Sequence, residues 1–447
     1  MSELRSIPQP PGTRYLPEPS RNLPIAITAD VVVAGGGIAG VAAALAAGRH
    51  GVRVVLLERA FGLGGLATLG HVVKYLPLCD GYGKQVMGGL AEELLRHSVI
   101  ELKAPYPPAG FIPIPECWKQ GGDPDKRERK RLHSSFNPYA FQMEMEHLLE
   151  RAGVEILYDT RVCQVQKRGE KLSHLIVENK SGRMAAKASV FIDATGDADL
   201  AFLAGCRTEE YPYNVLASWY YELKNEKLCL VTFSNLSDLE HRGGSPAVGP
   251  FYSGTEYRDV SRHVIDSRRL LRKKLAEKQV KNPKITIHPF ALPSLPDLRI
   301  TRRLVNRFSL RETDRHQWFD DTIGVTGDWR RKGPIYPIPL RSIHADACPN
   351  LFVIGRCMSS DHTVIDVTRA IGTCAVTGEA AGTAAALIVK DRLCDPKRLP
   401  ISRLQQQLRA HGALISPELV KPHSRETASI NKKTSHPGHG SRQEIRR

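Results

Sequence analysis

The chain has 447 residues, of which 41% are hydrophobic, 25% charged and 6% aromatic, and this balance excludes a largely disordered protein. Lysine and arginine (63) outnumber aspartate and glutamate (47), so the formal net charge is +16. The excess is uneven along the chain, because residues 397–447 alone hold 11 basic against 3 acidic side chains.

The N-terminal segment, residues 1–27, is rich in proline and has no apolar stretch of the kind that a secretory signal requires. The longest apolar run, residues 31–48, is broken by three consecutive glycines, and we expect no transmembrane segment. The nine cysteines are widely spaced and include no C-x-x-C pair, so we expect no metal site. Such cysteine usage is typical of a reduced, cytoplasmic protein.

A βαβ unit opens the folded part of the sequence. Residues 30–34 form a short β-branched run that predicts a strand buried on both faces. A glycine-rich turn and a helix of small residues follow, up to residue 48, and residues 52–57 predict a second buried strand. The unit requires a right-handed crossover and is the first half of a dinucleotide-binding fold.

The turn satisfies the motif G-x-G-x-x-G with Gly35, Gly37 and Gly40. The first glycine permits the tight turn, the second lets the backbone approach a pyrophosphate, and the third lets helix and strand pack closely. Glu58, at the end of the second strand, can accept hydrogen bonds from an adenosine ribose. The alternative is a glycine-rich turn in an unrelated α/β protein. The motif itself does not separate FAD from NAD.

Further along the chain, helical periodicity covers residues 88–97 and 141–152, and short strands are predicted at 155–158, 161–167, 173–179 and 188–192. Residues 350–354 predict a last strand and residues 373–390 a long Ala/Gly-rich helix. The stretch from 208 to 334 is mixed, and residues 396–447 predict a basic, mobile tail.

Three more motifs follow strands: residues 62–70 contain GGLAT, residues 193–199 read DATGDAD, and residues 350–357 read NLFVIGRC. Together with the helix sequence TCAVTGEAAGTAAAL, these motifs resemble the motifs of FAD-dependent oxidoreductases in the glutathione-reductase-like and fumarate-reductase-like flavoprotein superfamily. The resemblance covers residues 28–390. The resemblance implies an α/β fold: a Rossmann-like FAD-binding domain with an inserted α+β substrate domain. It implies the following division: lead 1–27; FAD-binding parts 28–100, 151–207 and 335–395; substrate-side insertion 101–150; substrate domain 208–334; tail 396–447.

The resemblance also implies which residues surround FAD. The pyrophosphate, adenosine and ribityl chain would be held by residues of the first two motifs: Gly35, Gly37, Ile38, Ala39, Gly40, Glu58, Arg59, Gly64, Gly65, Leu66, Ala67 and Thr68. The rest of the cofactor would be held by residues from later strands and the last helix: Val162, Thr195, Gly196, Asp197, Gly355, Arg356, Ile371, Gly372 and Thr373. The N-terminus of that helix would stabilise negative charge at the pyrimidine edge of the reduced flavin.

Candidate catalytic residues lie between the last strand and the last helix, where the resemblance places the active site. His362 is a candidate general base, Asp366 could orient it, and Arg369 could bind a carboxylate or steady an oxyanion. Arg341, just before the last strand, is a fourth candidate. The alternative is that His362 and Asp366 are loop residues that bond to backbone.

Two further expectations concern how FAD is attached and whether the chain has a second nucleotide-binding domain. We expect FAD to be bound without a covalent link, although His71 and Cys357 are conceivable tethers. No second strand-G-x-G-x-x-G-helix unit and no C-x-x-x-x-C pair occur, so a built-in NAD(P)H domain of the disulfide-reductase type is not expected.

The sequence therefore predicts an FAD-dependent oxidoreductase that transfers a hydride between a small organic substrate and flavin N5, with an external electron acceptor or donor. One alternative is an RNA-binding flavoprotein resembling tRNA-modifying enzymes, suggested by the +16 charge, although nucleic acid is not the expected partner. Another is a protein with structural FAD. The substrate and the oligomeric state are not predicted.

Overall fold

The computed structural model describes residues 12, 14, 16–100, 111–234, 249–393 and 398–426. The described helices are α1 (Ile38–Arg49), α2 (Leu90–Ser98), α3 (Pro138–Arg151), α4 (Asp199–Leu203), α5 (Tyr257–Lys281), α6 (Ile365–Thr368), α7 (Ile371–Lys390) and α8 (Ile401–Ala410). The described strands are β1 (Ile25–Thr28), β2 (Val31–Ala34), β3 (Val54–Leu57), β4 (Lys74–Tyr75), β5 (Ser134–Ser135), β6 (Glu155–Leu157), β7 (Arg161–Arg168), β8 (Lys171–Asn179), β9 (Gly182–Lys187), β10 (Val190–Asp193), β11 (Thr208–Glu210), β12 (Ala217–Lys224), β13 (Lys227–Ser234), β14 (Ile287–Ala291), β15 (Arg302–Leu304), β16 (Thr322–Gly327), β17 (Ile335–Pro339) and β18 (Leu351–Val353).

A five-stranded parallel sheet, in the order β18-β10-β2-β3-β6, forms the centre of the protein. Its strands β2, β3 and β10 are buried along their whole length, which explains their uninterrupted runs of Val, Leu, Ile and Phe. Because β2, α1 and β3 form the expected crossover unit, the predicted α/β fold with a Rossmann-type sheet is confirmed.

Helices α1 and α7 pack closely against each other beside this sheet, and their small side chains permit the short distance. A Cβ atom at Gly378 would collide with the carbonyl oxygen of Ala39, and one at Gly382 with that of Ala43. By length and composition α7 could cross a membrane, but 89% of its most apolar stretch is buried inside the protein. This burial is typical of a core helix of a soluble protein.

Two further assemblies of strands are mainly antiparallel. In the first, strands lie in the order β1-β9-β8-β7, and β1 joins it by pairing in parallel with β9. The second contains β13-β12-β14, and α5 packs on it. Strands β12, β13 and β14 and helix α5 give residues 208–334 the mixed α and β character that the sequence predicts, with residues 235–248 outside the described part.

The predicted mobile tail is wrong for residues 398–426. Helix α8 inserts Leu404 and Leu408, one turn apart, into the main core, and Ile415 and Leu419 follow them there. A few leucines at helical spacing anchor a segment whose composition is otherwise polar, because only one helix face has to be apolar. The remaining tail residues, 427–447, lie outside the described residues, as do 1–11, 13, 15, 101–110 and 394–397.

Candidate functional site

A cavity of about 770 Å³ lies beyond the carboxyl ends of β2, β3, β10 and β18. This edge of a parallel sheet is where ligands bind in such folds, because the loops that follow the strands converge there. The loops carry most of the residues that the sequence predicts around FAD. Those that line the cavity are Gly35, Gly37, Ile38, Ala39, Glu58, Arg59, Gly64, Gly65, Leu66, Ala67, Val162, Thr195, Gly196, Asp197, Gly355, Arg356 and Ile371.

The glycine turn between β2 and α1 forms one wall of the cavity. Gly35 has φ +103°, a conformation that L side chains rarely adopt. A Cβ atom at Gly40 would collide with the carbonyl oxygen of Gly35, so this glycine allows the helix to begin directly above the strand. A Cβ atom at Gly37, in contrast, would meet no protein atom within 4 Å and would occupy the open cavity.

Helix α1 begins at this turn, with Gly37 as its N-cap and no side chain that caps it. The first-turn N–H groups of an α-helix have no partner within the helix, and they bear a partial positive charge. The backbone of residues 38–40 therefore offers donors to an anionic group in the cavity, as in dinucleotide-binding proteins.

The carboxylate of Glu58 is held by backbone on both oxygens. Its Oε2 accepts from the N–H of Gly36 at 2.6 Å, and its Oε1 accepts from the N–H of Ala60 at 2.7 Å. Only 8% of the residue is exposed. Each carboxylate oxygen can accept a second hydrogen bond, so the side chain remains able to bind a ribose hydroxyl in the cavity that it lines.

The fully buried side chain of Asp193 holds the loop after β10 in place by hydrogen bonds. Its carboxylate accepts from the N–H and hydroxyl of Thr195 at 3.1 and 2.7 Å and from the N–H of Ala201 at 2.9 Å. Burial raises the pKa of Asp193. The aspartate thus shapes the turn that presents Thr195 and Gly196 to the cavity rather than binding a ligand.

Arg356, after β18, ties this loop to a third segment. Its guanidinium donates to the carbonyl oxygens of Gly196 at 2.7 Å and Leu298 at 2.6 Å, and to Oδ1 of Asp197 at 2.7 Å. Since all three nitrogens have protein partners, Arg356 acts mainly as a brace of the cavity wall. Asp197 also accepts from the Thr301 hydroxyl at 2.7 Å and has a looser partner in Arg59, 3.8 Å away.

An acidic and basic cluster completes this side of the cavity. Arg302 is buried, donates to Oδ1 of Asp199 at 2.7 Å and lies 4.1 Å above the ring of Phe202. Burial and the neighbouring carboxylates of Asp197 and Asp193 raise the pKa of Asp199 to about 6. On this wall the positive charges of Arg302 and Arg356 offset the negative charges of Asp197 and Asp199, which would otherwise repel an anionic ligand.

Four residues predicted to contact FAD are not among the described residues that line the cavity: Gly40, Thr68, Gly372 and Thr373. Each is buried directly behind the wall. Thr68 donates to the carbonyl oxygen of Leu63, and Thr373 donates to that of Val367 at 2.9 Å. The N-terminus of α7 nevertheless reaches the cavity through Ile371 and Cys374. Burial raises the pKa of the Cys374 thiol to about 12.

The four candidate catalytic residues are not brought together. Arg369 lines the cavity, and its Nε and Nη2 both donate to Oδ1 of Asp366, the former at 2.9 Å. Asp366 is buried and lies 3.7 Å from a second arginine, Arg330. The sequence left open that Asp366 is a loop residue whose side chain bonds to backbone. In the structure its carboxylate accepts hydrogen bonds from an arginine side chain instead.

His362 and Arg341 are placed differently. His362 is exposed on the turn before α6, and neither residue is among the described residues that line the cavity. Arg341 forms an ion pair with Asp321, and its guanidinium lies 4.4 Å from the ring centre of Phe308 and 4.6 Å from that of Phe319. Their catalytic assignment stays a prediction that this geometry does not favour.

The two conceivable tethers also lie outside the described lining of the cavity. Cys357 is fully buried in the core on one side of the central sheet, where burial raises its pKa well above the usual value. His71 is buried between the rings of Tyr139 and Tyr221 and has φ +59°. Neither residue is therefore placed where it could hold a cofactor in this cavity.

Several cavity residues were not predicted as site residues from the sequence. They come from the segment that leads into β15, from the start of β15 and from the last helix, and include Leu295, Pro296, Leu298, Thr301, Arg302 and Cys374. The signal for Leu298, Thr301 and Arg302 is the charged run at residues 297–303, which follows no buried strand, whereas Cys374 directly follows the predicted Thr373. Among the described residues no group of three or more His, Cys, Asp or Glu side chains could hold a metal ion.

A model of the FAD dependent oxidoreductase family matches residues 30–212 and 213–408 of the chain. Among curated proteins, no relative matches the sequence. The chain is similar to the structure of a geranylgeranyl bacteriochlorophyll reductase-like protein from Thermoplasma acidophilum, with 13% identity and a TM-score of 0.45 over 86% of this chain and 84% of that one. It is also similar to a 3-ketosteroid-Δ4-(5α)-dehydrogenase from Rhodococcus jostii RHA1, with 14% identity and a TM-score of 0.37 over 81% and 97%.

Proposed function

This chain belongs to the FAD-dependent oxidoreductase family, and from that premise we propose that it transfers a hydride between a small organic substrate and N5 of a non-covalently bound FAD. One observation carries the proposal: the glycine turn, the ends of two helices and Glu58 all line one cavity at the carboxyl edge of the parallel sheet. The FAD would supply the two-electron acceptor or donor, and the chain supplies binding, orientation and electrostatics.

The cavity fits a dinucleotide on a structural test. A side chain at Gly37 would fill open space, so the backbone there can contact a pyrophosphate, and the N–H groups of residues 38–40 are available as donors. The GGLAT loop lies beside this turn, because the N–H of Gly64 donates to the carbonyl oxygen of Gly36 at 2.8 Å. Glu58 would then hold the ribose of the adenosine.

Helix α7 begins at the wall of the same cavity. Its first residue, Ile371, lines the cavity, and its N-cap, Ala370, provides no side-chain cap. The free N–H groups and partial positive charge of this helix would stabilise negative charge on the reduced cofactor. This arrangement favours acceptance of electrons from a substrate.

Arg369 is the residue that we propose to contact the substrate. Two of its nitrogens are held by Asp366, and Nη1 has no partner among the described residues. The guanidinium is therefore oriented from behind and keeps a donor for a carboxylate or a carbonyl oxygen of the substrate. Asp366 would act as a positioning residue, since it reaches the substrate only through Arg369.

The first experiment is a visible spectrum of the purified protein before and after acid precipitation. Bands at about 370 and 450 nm that move into the supernatant would support non-covalent FAD, whereas colour that stays in the pellet would contradict non-covalent binding. No flavin even after incubation with added FAD would overturn the proposal. Excess absorbance near ~260 nm, after correction for FAD, would favour the RNA-binding alternative.

The second experiment is anaerobic reduction of the bound flavin by a panel of acids, amines, sugars and polyols. Loss of the oxidised absorbance with one chemical class would support hydride transfer from that class. If dithionite reduces the flavin but no member of a broad panel does so at a useful rate, the structural role of FAD would be favoured instead.

A further inference from the structure

Helix α5 carries a concentration of positive charge at the surface of the protein. Its 25 residues include nine lysines and arginines but only three aspartates and glutamates. One side of the helix is buried, because His263, Ser267 and Leu271, at intervals of four residues, pack into the protein. The opposite side faces solvent over the whole length of the helix, which is about 37 Å.

The solvent side of α5 forms a continuous row of basic and apolar residues, which we call the α5 stripe. Every member is exposed and has another member three or four residues away, the spacing that keeps side chains on one side of a helix. The members are Arg258, Arg262, Ile265, Arg269, Arg272, Lys273, Ala276 and Val280. The exposed Glu277 lies at the edge of the stripe, so five basic residues dominate it.

Part of the positive charge in the α5 stripe has no acidic partner. Asp259 and Asp266, on its flank, each pair with one arginine of the stripe, and each also accepts a hydrogen bond from a residue outside the helix. Arg272 and Lys273, in contrast, form no hydrogen bond or ion pair with any residue that the structure describes. Two adjacent positive charges are therefore available to an anionic partner.

Exposed apolar side chains share the α5 stripe with these charges. Ile265 is 55% exposed and Val280 is 81% exposed. A single exposed apolar residue is common on a protein surface, but these two lie in one row with unpaired basic side chains. A helix that lies on an anionic membrane has this combination, because its basic residues contact lipid phosphates and its apolar residues reach the boundary of the acyl chains.

Two other partners fit the composition of the α5 stripe less well. A nucleic acid would be held through its phosphates by the basic residues, but its backbone offers no apolar surface for Ile265 and Val280. A second copy of the chain that docked through the same stripe would bring like charges together, which opposes association. An anionic lipid surface accommodates both the basic and the apolar residues.

We propose that the α5 stripe binds this protein reversibly to the surface of membranes that contain anionic phospholipids. The helix would lie along the membrane plane, with its buried side still packed on the protein. The arginines and Lys273 would contact lipid phosphates, and Ile265 and Val280 would contact the apolar boundary below them. The proposal is independent of the hydride transfer proposed above, because it concerns the outer surface and not the cofactor cavity.

The test measures co-sedimentation of the full-length, FAD-loaded protein with large unilamellar vesicles. Vesicles of phosphatidylcholine alone are compared with vesicles that contain phosphatidylcholine and phosphatidylglycerol in equal amounts. We expect binding to the mixed vesicles only, with an affinity that falls about tenfold or more when the salt concentration rises from about 0.1 to 0.5 M. Flavin reduction is not measured, so failure of this test leaves the proposed function untouched.

Two double variants separate the α5 stripe from the general positive charge of the protein. The variant with Arg272→Gln and Lys273→Gln should bind the mixed vesicles about tenfold or more weakly, because two charges are removed from the contact. The matched control is Arg129→Gln with Lys130→Gln, which removes two adjacent, exposed basic residues outside α5. The control should keep the affinity of the natural protein, although its net charge falls by the same amount.

A third variant tests the apolar part of the contact. Val280→Ser should weaken binding to the mixed vesicles about threefold, and by a similar factor at both salt concentrations, because salt screens charges but not apolar contacts. Since Val280 is largely exposed, the variant should fold normally, and circular dichroism checks this expectation for all three variants.

Three results would overturn the proposal. The first is no sedimentation with either kind of vesicle. The second is an equal loss of affinity in the two double variants, which would mean that net charge alone attracts the protein to lipid. The third is weak vesicle binding together with tight binding of a single-stranded RNA oligonucleotide that Arg272→Gln with Lys273→Gln abolishes, which would assign the stripe to nucleic acid.

Discussion

The backbone N–H of Gly36 donates to Oε2 of Glu58 across 2.6 Å, so the turn after β2 is fastened to the end of β3 by a side chain as well as by the sheet. The same carboxylate fixes the backbone of Ala60 through its other oxygen. Because backbone N–H groups hold both oxygens of the Glu58 carboxylate, its position at the cavity is fixed before a cofactor binds.

We predict that Glu58→Gln lowers the affinity for FAD by about 10- to 100-fold, because a charged acceptor is replaced by a neutral amide that has only one acceptor oxygen. Stability of the cofactor-free protein should fall by about 1–2 kcal/mol, since one of the two backbone N–H groups loses its partner. Fluorescence titration with FAD and thermal unfolding measure the two effects. Glu155→Gln, on the neighbouring strand and exposed, is the control and should change neither.

Two glycines of the same turn should behave differently when they are replaced by alanine. Gly37→Ala should leave the cofactor-free protein as stable as before, because the new Cβ contacts no protein atom, but it should weaken FAD binding at least about tenfold by filling the space of the pyrophosphate. Gly40→Ala should cost about 3 kcal/mol or more, because the new Cβ collides with the backbone of Gly35.

Chemical unfolding of both variants without cofactor, followed by FAD titration of the folded one, separates the two roles. Equal loss of stability in Gly37→Ala and Gly40→Ala would contradict the assignment of Gly37 to ligand contact. Unchanged FAD affinity in Gly37→Ala would contradict the position of the pyrophosphate that we propose.

The buried glutamate on α7 should make stability depend on pH. Glu379 is 3% exposed and accepts from the N–H of Leu90 at 2.9 Å, and burial raises its pKa to about 8. Since this pKa lies above that of the unfolded chain, the folded state binds more protons between the two values. Stability is therefore full below about pH 4.5 and falls as pH rises to 8, by roughly 3–5 kcal/mol.

Urea unfolding of Glu379→Gln across pH 5–9 checks this expectation. The variant keeps an acceptor for Leu90 and should lose less stability than the natural protein as the pH rises, so that it is the more stable of the two at pH 9. Glu418→Gln, at an exposed position, should follow the natural protein. A parallel pH dependence in Glu379→Gln and the natural protein would show that another group titrates.

The central part of the fold was predictable because its sequence signals are local. Residues 30–34 and 52–57 are continuous apolar runs, and β2 and β3 occupy almost the same positions. The glycine motif lies between them in its usual setting, so the position of the cavity followed as well. Strand β1 was missed, since its place is set by parallel pairing with β9, about 160 residues away.

Helix α5 shows why the substrate side was not predicted in detail. Its 25 residues bury only His263, Ser267 and Leu271 completely, and two of these three are polar. Residues at spacing i, i+4 and i+8 form one helix face, but a face of this composition gives no apolar periodicity. The catalytic candidates do not converge for a similar reason. The sequence of residues 359–369 places His362 and Arg369 in one short segment, but it does not determine the direction in which each side chain points.

We predict that Arg369 is required for the reaction with substrate but not for cofactor binding. Arg369→Gln removes the charged donor at the cavity, and we expect the second-order rate constant for flavin reduction to fall about 10- to 100-fold with an anionic or carbonyl substrate. Its affinity for FAD and its visible spectrum should stay unchanged. Asp366→Asn should cause a smaller loss, which appears as a higher substrate concentration at half-maximal rate, because Arg369 is then less firmly oriented.

The matched control is Arg341→Gln, which replaces the same residue type outside the described lining of the cavity. Because Arg341 pairs with Asp321 and contacts the rings of Phe308 and Phe319, the variant should lose about 1 kcal/mol of stability but reduce the flavin at the normal rate. Anaerobic stopped-flow measurements compare the variants under one set of conditions. If Arg341→Gln, and not Arg369→Gln, slowed the reduction, the cavity that we assign to the substrate would be wrong.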